Sequence, residues 1–406
     1  MTEGESHPPH HRAPEDSRVS DPRPEGTSAD GARLSPLHDR HVAAGAQFTD
    51  FAGWQMPVRY ASDLEEHHAV RERAGLFDLS HMAEILVVGP EAAEALDYAL
   101  AGRLSAIAVG QAKYSLLLRR EGGIVDDVVV YRTGEDRFLV VANAANRDAA
   151  VTELRERSAP FDCEVQDESD DIALIALQGP RAAEILENLD RLDIDGGPDA
   201  EAGTAALRAL RYYRALRGDW DGHRLLIART GYTGEDGFEL YVSPDAAPAL
   251  WSELLDTGAG AGLVPAGLAA RDTLRLEAGM PLYGHELTAE TTPAQAGLGR
   301  VVALDQKQDF VGRAAVEQAP EGGRVLVGLA AEGRRAGRAG YPVLGDEGVV
   351  GVVTSGALSP TLGHPIALAY VDHGVSAPGT ELALDIRGSR VPAAVVELPF
   401  YRRPTD

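Results

Sequence analysis

The sequence predicts an α+β protein with a small all-β unit at its C-terminal end. Three observations carry this expectation. Helical periodicity alternates with strand hairpins through the first 280 or so residues. Beyond about residue 320 the chain breaks into short apolar runs separated by Gly/Pro turns, the pattern of a separate β-barrel. The length of 406 residues suits two or three domains.

The elements follow in order. Residues 1 to about 33 are rich in Pro, Gly, Ser, Glu and Asp and lack apolar periodicity, which reads as a disordered tail. His7, His10 and His11 make that tail at most an adventitious metal binder. Order is expected from Leu34. Ser35-Pro36 predicts a helix start, with Ser35 as cap and Pro36 in the first turn. Phe48 to Val58 is an aromatic, Gly-punctuated strand or loop. Residues 62 to 74 read as a charged amphipathic helix, and Asp78 to Pro90 as a strand ending at Gly89-Pro90. A helix from Glu91 to about Leu100 comes next. A hairpin then joins the strand through Asp126 and Asp127 to Arg137–Asn143, and a second joins Arg224–Arg229 to Phe238–Val242. Residues 266 to 278 predict a helix that stops at Gly279.

Composition excludes several function classes. A hydrophobic content of 44% with 25% charged residues is ordinary for a globular chain. The single cysteine, Cys163, rules out an intramolecular disulfide and argues against a Cys-based metal site. A net charge of −25 argues against general nucleic-acid binding and would repel anionic membranes. No apolar run reaches transmembrane length and no signal-like stretch opens the chain, so the cytoplasm is the expected location.

Few motifs carry chemistry by themselves. Gly122 to Tyr131 places Asp126 and Asp127 inside a Val/Ile run, where an unpartnered charge is costly. Neighbouring side chains on a strand point to opposite faces, so the two acids are not expected in one pocket. One would face solvent or pin the start of the strand; the other would project into whatever the sheet lines. An edge strand with both acids solvated is the alternative. The loop from Arg229 to Glu239 holds three glycines in seven residues, at 231, 234 and 237. It is either a mobile hairpin tip or a close backbone approach to a ligand. Glu239, within Phe-Glu-Leu-Tyr-Val, needs donors, and a heterocycle with adjacent N–H and NH2 groups could supply them. Arg271 and Arg275 share a helix face. They either pair with Asp272 or Glu277 or recognise a carboxylate. His38, His41, His67 and His68 are expected on solvated helix faces, and no metal site is expected. Ser80-His81 and Ser359 lack the Gly-x-Ser-x-Gly context of a hydrolase nucleophile, and no phosphate-binding loop is present.

A set of motifs, in order, is similar to one known family. They are Phe51–Val58, Asp78–Met82, Gly122–Asp127, Leu177–Pro180, Arg229–Gly237, Ala269–Met280, Thr354–Gly363 and Pro399–Arg402. Together they resemble the aminomethyltransferase, or T-protein, family of the glycine cleavage system, from about Leu34 to Arg403. The resemblance implies two intertwined α+β domains plus a small C-terminal β-barrel, arranged around a central cavity for tetrahydrofolate. It implies a folate-binding region over residues 34–285, a connecting segment over 286–319 and the barrel over 320–406. Asp127 resembles the family's catalytic aspartate, with Asp126 its neighbour. Met82, Tyr114, Asn143 and Tyr232 resemble cavity residues, and Glu239 the acid that binds the pterin. Arg271 and Arg402 resemble the basic groups near the p-aminobenzoyl-glutamate part. The long acidic tail and Asp305–Gly312 depart from the family pattern.

The implied reaction moves the methylene of an aminomethyl group from the lipoyl arm of the H protein to tetrahydrofolate. Ammonia leaves and 5,10-methylenetetrahydrofolate forms. No metal is implied, the H protein is the partner, no nucleic acid or membrane is involved, and the chain is expected to be a monomer. Two alternatives share the fold: a folate-dependent demethylase of a methylated amine or sulfonium compound, and a non-catalytic folate-binding assembly factor. No flavin-type domain accompanies the module, and the only cysteine lies outside the assembly-factor signature.

Overall fold

Alternating side chains and tight turns build most of this molecule. The computed structural model describes residue 1 and residues 31–195, 203–318 and 322–404, and these form four sheets. The expected tail lies almost wholly outside the described residues. Its last member, Arg33, belongs to the fold: Arg33–Leu34 pairs in parallel with Trp54 and Gln55. Its guanidinium lies 4.2 Å from the centroid of the Trp54 ring.

One sheet of five strands has the order Ala112–Leu118, Ile124–Gly134, Arg137–Ala142, Ala83–Val88, Glu164–Asp167. A second sheet has seven strands, among them the neighbours Gly237–Val242, Ala173–Gln178 and Ala74–Asp78. The chain first lays Ala74–Asp78 into the seven-stranded sheet. It then leaves to complete the five-stranded sheet and returns with Ala173–Gln178 beside its first strand. The two α+β units are therefore intertwined.

Strand alternation assigns each face its task. Ala173, Ile175 and Leu177 join an outer core with Leu250 and Leu254 of the helix Ala247–Gly258. Their neighbours Leu174 and Ala176 face inward, with Phe77, Tyr131, Leu139, Val141 and Tyr241. On the five-stranded sheet, Val128 and Val130 pack outward with Leu96 and Leu154, while Val129 and Tyr131 belong to the inner layer. The inner faces of the two sheets turn toward each other, and the candidate site lies there.

The expected strand from Asp78 to Pro90 is split. Ala74–Asp78 and Ala83–Val88 belong to different sheets, with a turn at Leu79–Met82 between them. Asp78 anchors the corner: its carboxylate accepts from the Ser80 N–H at 2.9 Å and from Ser35 Oγ, and lies 2.8 Å from His41 Nε2. Ser35 is thus drawn to Asp78, and the first helix starts later than expected, at His38. The reading of the histidines as solvated also fails for two of them. His41 and His67 are fully buried, the first on Asp78 and the second between Thr273 and Thr361 at 2.8 and 2.9 Å. Periodicity did not reveal this because their partners come from distant segments.

The C-terminal unit is a closed barrel of six strands, from Arg324–Ala331 to Ser389–Val396. A buried ionic network docks it. Glu277, at the end of the helix Leu268–Glu277, accepts from Arg71 Nη2 at 2.8 Å in the helix Asp63–Glu72. It also accepts from Thr361 Oγ1 at 2.7 Å and Ser359 Oγ at 2.5 Å. Ahead of the barrel, Leu287, Val302 and Phe310 pack against Leu116, Leu118 and Ile124. Lys307, within the stretch that departs from the family pattern, donates to the carbonyls of Asp97, Leu100 and Gly102 at 2.5–2.9 Å.

Candidate functional site

The facing sheets enclose a cavity of about 370 Å³. Seven of the eight site residues that the resemblance implies line it: Met82, Tyr114, Asp127, Asn143, Tyr232, Glu239 and Arg271. Arg402 does not. It is exposed, and its Nη2 donates to the Leu398 carbonyl at 3.3 Å. The preceding residue turns inward instead: the Tyr401 N–H donates to the Glu277 carbonyl at 2.8 Å, and the ring lies 4.1 Å from the Arg71 guanidinium. A larger hollow of about 750 Å³ between the same sheets holds none of the residues singled out from sequence; its charges, among them Arg137, Arg217, Glu168 and Asp171, have both signs.

The strand Ile124–Gly134 places Asp127 on the inner face, in phase with Val129 and Tyr131. Its carboxylate accepts from Tyr114 Oη at 3.0 Å and from Asn143 Nδ2 at 2.9 Å. Burial pushes its pKa up, against these two bonds. Asp126 is fully buried, so neither acid fits the reading of a solvated edge strand. Asp126 accepts from the Asn143 N–H at 3.0 Å, from Asn143 Nδ2 at 2.7 Å and from Asn146 Nδ2 at 2.7 Å. Burial first, and then the Asp127 charge, push it up to about 7 despite those donors. Pairing with the neighbouring strand slips at this point, Leu117 facing Asp126 but Leu118 facing Ile124. Val125 is therefore an extra residue that bends the strand where the acids sit.

At another wall, Glu239 Oε2 accepts from Thr230 Oγ1 at 2.6 Å, Tyr131 Oη at 3.1 Å and Tyr241 Oη at 3.4 Å. The need for donors read from sequence is met by hydroxyls for one oxygen. Among the described residues, the other oxygen has no hydrogen-bond donor. Arg271 and Arg275 divide the two readings of their helix. Arg275 is buried and bonded to Asp272 at 2.8 Å, Glu286 at 2.9 Å and Ser355 at 2.8 Å. Arg271 has no ion-pair partner among the described residues, and its guanidinium lies 4.9 Å from the Tyr232 ring centroid. The Tyr232 hydroxyl is fixed on the Pro281 carbonyl. His81, also in the lining, is buried; desolvation drives it down to about 4 against the Asp78 charge, so it is neutral at neutral pH.

Sequence reasoning missed Tyr131, Tyr241, Thr230 and Tyr213. Tyr131 was within reach, since it stands four residues beyond Asp127 and so shares its face. Tyr213 was not. It lines the cavity from an irregular segment with φ at 61°, a backbone region that a bulky side chain rarely adopts.

Chemically, the cavity offers a carboxylate fixed by two donors, a second carboxylate with a free oxygen, an unpaired guanidinium and aromatic walls. That set suits a flat heterocycle bearing N–H donors and an anionic tail, with a fixed negative charge near the reacting atoms.

Known proteins resemble most of the chain. Residues 37–306 match the family model described as the GCVT N-terminal domain, and residues 324–402 the glycine cleavage T-protein C-terminal barrel domain. The chain is 57% identical over 373 residues to an aminomethyltransferase of Cutibacterium acnes, covering 91% of this chain and 99% of that one. It is 55% identical over 377 residues to an aminomethyltransferase of Streptomyces coelicolor, covering 91% and 98%. The crystal structure of the glycine cleavage system aminomethyltransferase T of Bartonella henselae matches with a TM-score of 0.82 at 39% identity, covering 92% of this chain and 99% of that one.

Proposed function

The chain belongs to the glycine cleavage T-protein family and is an aminomethyltransferase, and from that premise we propose how its cavity carries the transfer. The reaction takes the methylene of an aminomethyl group from the lipoyl arm of the H protein to tetrahydrofolate and releases ammonia. The family models and the relatives' shared name favour this reading over the demethylase and assembly-factor alternatives.

The single observation that carries the site assignment is the placement of Asp127. It is a carboxylate on an inner strand face, held by Tyr114 and Asn143, opening into the cavity with no cation bonded to it among the described residues. The folate supplies the nitrogen that accepts the one-carbon unit. Asp127 holds negative charge beside the carbon that becomes electron-poor, where a water-poor cavity strengthens the effect. Asp127 also orients the accepting N–H. Glu239, its Oε2 occupied by three hydroxyls, turns its other oxygen to the pterin's N–H and NH2 donors. Arg271, unpaired and stacked on Tyr232, receives the anionic p-aminobenzoyl-glutamate part. Met82 and Tyr232 line the space between. Arg402 would meet the folate tail only outside the cavity. No described helix is long and apolar enough to cross a membrane. We place the enzyme in the cytoplasm as a monomer that meets the H protein transiently.

The test is incubation with aminomethyl-loaded H protein and tetrahydrofolate. Ammonia and 5,10-methylenetetrahydrofolate should appear together, and only with both substrates. Ammonia release at an unchanged rate without tetrahydrofolate would overturn the reading.

A further inference from the structure

Asp126 and Asp127 are adjacent on one strand, yet both bond the same amide. Asn143 Nδ2 lies 2.7 Å from Asp126 Oδ1 and 2.9 Å from Asp127 Oδ1. Asn143 follows the end of the strand Arg137–Ala142, where the hairpin partners diverge. Its side chain bridges the gap between them. Asp126 is also held by the Asn143 N–H and by Asn146 Nδ2, at 3.0 and 2.7 Å. Three donors satisfy a fully buried carboxylate that stands outside the cavity lining, and one of them is shared with Asp127.

The charges around the pair are few. Tyr114 contacts Asp127 from the strand Ala112–Leu118, and Tyr232 and Tyr213 face it across the cavity. Tyr283 lies within electrostatic reach of both acids and of Arg119 and Glu290. No cation among the described residues bonds either carboxylate. Two buried negative charges joined by one neutral amide repel each other, so the pair binds a proton more readily than two solvated acids would.

Resting on the functional reading above, we propose that Asp126 is a positioning residue for the transfer. Through the shared Asn143 amide it fixes where the Asp127 carboxylate stands. Buried side by side on one amide, the two acids take up a proton as a pair, so that one negative charge and not two faces the cavity. Both acids are oxygen acceptors bonded to the same nitrogen, so a second negative charge on Asp126 weakens the hold of Asn143 on Asp127. Burial and the Asp127 charge push Asp126 up to about 7, which agrees with a proton held by the pair near neutrality.

The experiment measures kcat against pH for the full-length enzyme with loaded H protein and tetrahydrofolate. The wild type should show an inflection near neutral pH and another on the acid side. Asp126→Asn should lose the inflection near neutrality, with kcat down roughly 10- to 100-fold and KM for tetrahydrofolate within about twofold. Asn146→Ala tests the same point without touching either acid or the cavity lining. It removes a donor to the Asp126 anion, so the inflection near neutrality should move to higher pH. Superimposable profiles for wild type and Asp126→Asn, or an unmoved inflection in Asn146→Ala, would overturn the proposal. If Asp126→Asn does not fold, Asn146→Ala alone decides. An infrared titration of the carboxyl bands separates this inference from the function itself. A protonated carboxyl lost near neutral pH in the wild type, at a pH that Asn146→Ala moves, supports the inference even if no transfer is detected; its absence overturns it even if transfer is rapid.

Discussion

Asp127→Asn keeps the shape of the side chain and removes its charge. The amide can still accept from Tyr114, but its NH2 would confront the Asn143 NH2 now bonded to Oδ1. Turnover is expected to fall by orders of magnitude with folate still bound, so the loss appears in kcat under steady-state kinetics. An unaltered kcat would remove Asp127 from the chemistry. Glu239→Gln acts on affinity instead. Oε2 already accepts three hydroxyl bonds, so the substituted amide must turn its NH2 either on those hydroxyls or on the ligand's donors. Tetrahydrofolate binding should weaken by about 1.5–3 kcal/mol, the range for hydrogen bonds to a charged group, and calorimetry reads it directly. At this scale sequence was informative about residue type and weak about partners. A Glu inside an apolar strand demanded donors, but nothing in the local pattern named Tyr131, Thr230 and Tyr241. Asp126 was the harder case. Alternation separated it from Asp127, and only the position of Asn143 rejoined the two.

Elements are held in place by contacts at their ends, and two of these invite tests. The strand Ile124–Gly134 starts against the loop around Ala289: the Ile124 N–H donates to the carbonyls of Thr288 and Thr291 at 3.2 and 3.1 Å. A Cβ on Gly123 would stand 1.7 Å from the Ala289 carbonyl oxygen, so that backbone must move. Gly123→Ala should cost about 1–3 kcal/mol of stability, the range for overpacking. It should also lower kcat, because the displaced strand carries Asp126 and Asp127. A Tm and kcat equal to the wild type's would show that the loop yields freely. At the end of the helix Leu268–Glu277, burial pushes Glu277 up, but bonds from His67 and Ser359 and the Arg71 charge outweigh it. The carboxyl is held at about 2, below its ordinary value of 4.5. A lowered folded-state value means the unfolded chain takes up the proton first. The stabilisation is therefore complete above about pH 4.5 and is lost as pH falls toward 2, amounting to about 3 kcal/mol. Glu277→Gln should flatten the acid limb of a Tm-against-pH curve. A limb with its slope retained would place the acid sensitivity elsewhere.

At the scale of the whole molecule, the first strand and the barrel both fasten distant parts of the chain. Arg33 stacks on Trp54, bonds Asp170 and donates its N–H to the Gly53 carbonyl at 2.8 Å. A chain starting at Ser35 should therefore be less stable than one starting at Gly31, by roughly 1–2 kcal/mol for a cation–π contact and a backbone hydrogen bond. Denaturant titration of the two chains measures it, and coincident midpoints would leave that strand without energetic weight.

The sequence by itself determined the mixed α+β class, the C-terminal barrel, both hairpins and the family. These depend on local periods, on turn residues and on motif order, all of which are properties of neighbouring residues. Tertiary structure alone decided that Ala74–Asp78 and Ala83–Val88 lie in different sheets, because a turn of a few residues reads like a strand when Asp78's partners are hidden. It also decided that His41 and His67 are buried, that Arg271 rather than Arg275 has no ion-pair partner among the described residues, and that Tyr401 rather than Arg402 turns inward. Each of those outcomes depends on a charge or hydroxyl supplied from another part of the chain. Such a contact leaves no period in the sequence, because it is set by where two sheets and a barrel meet.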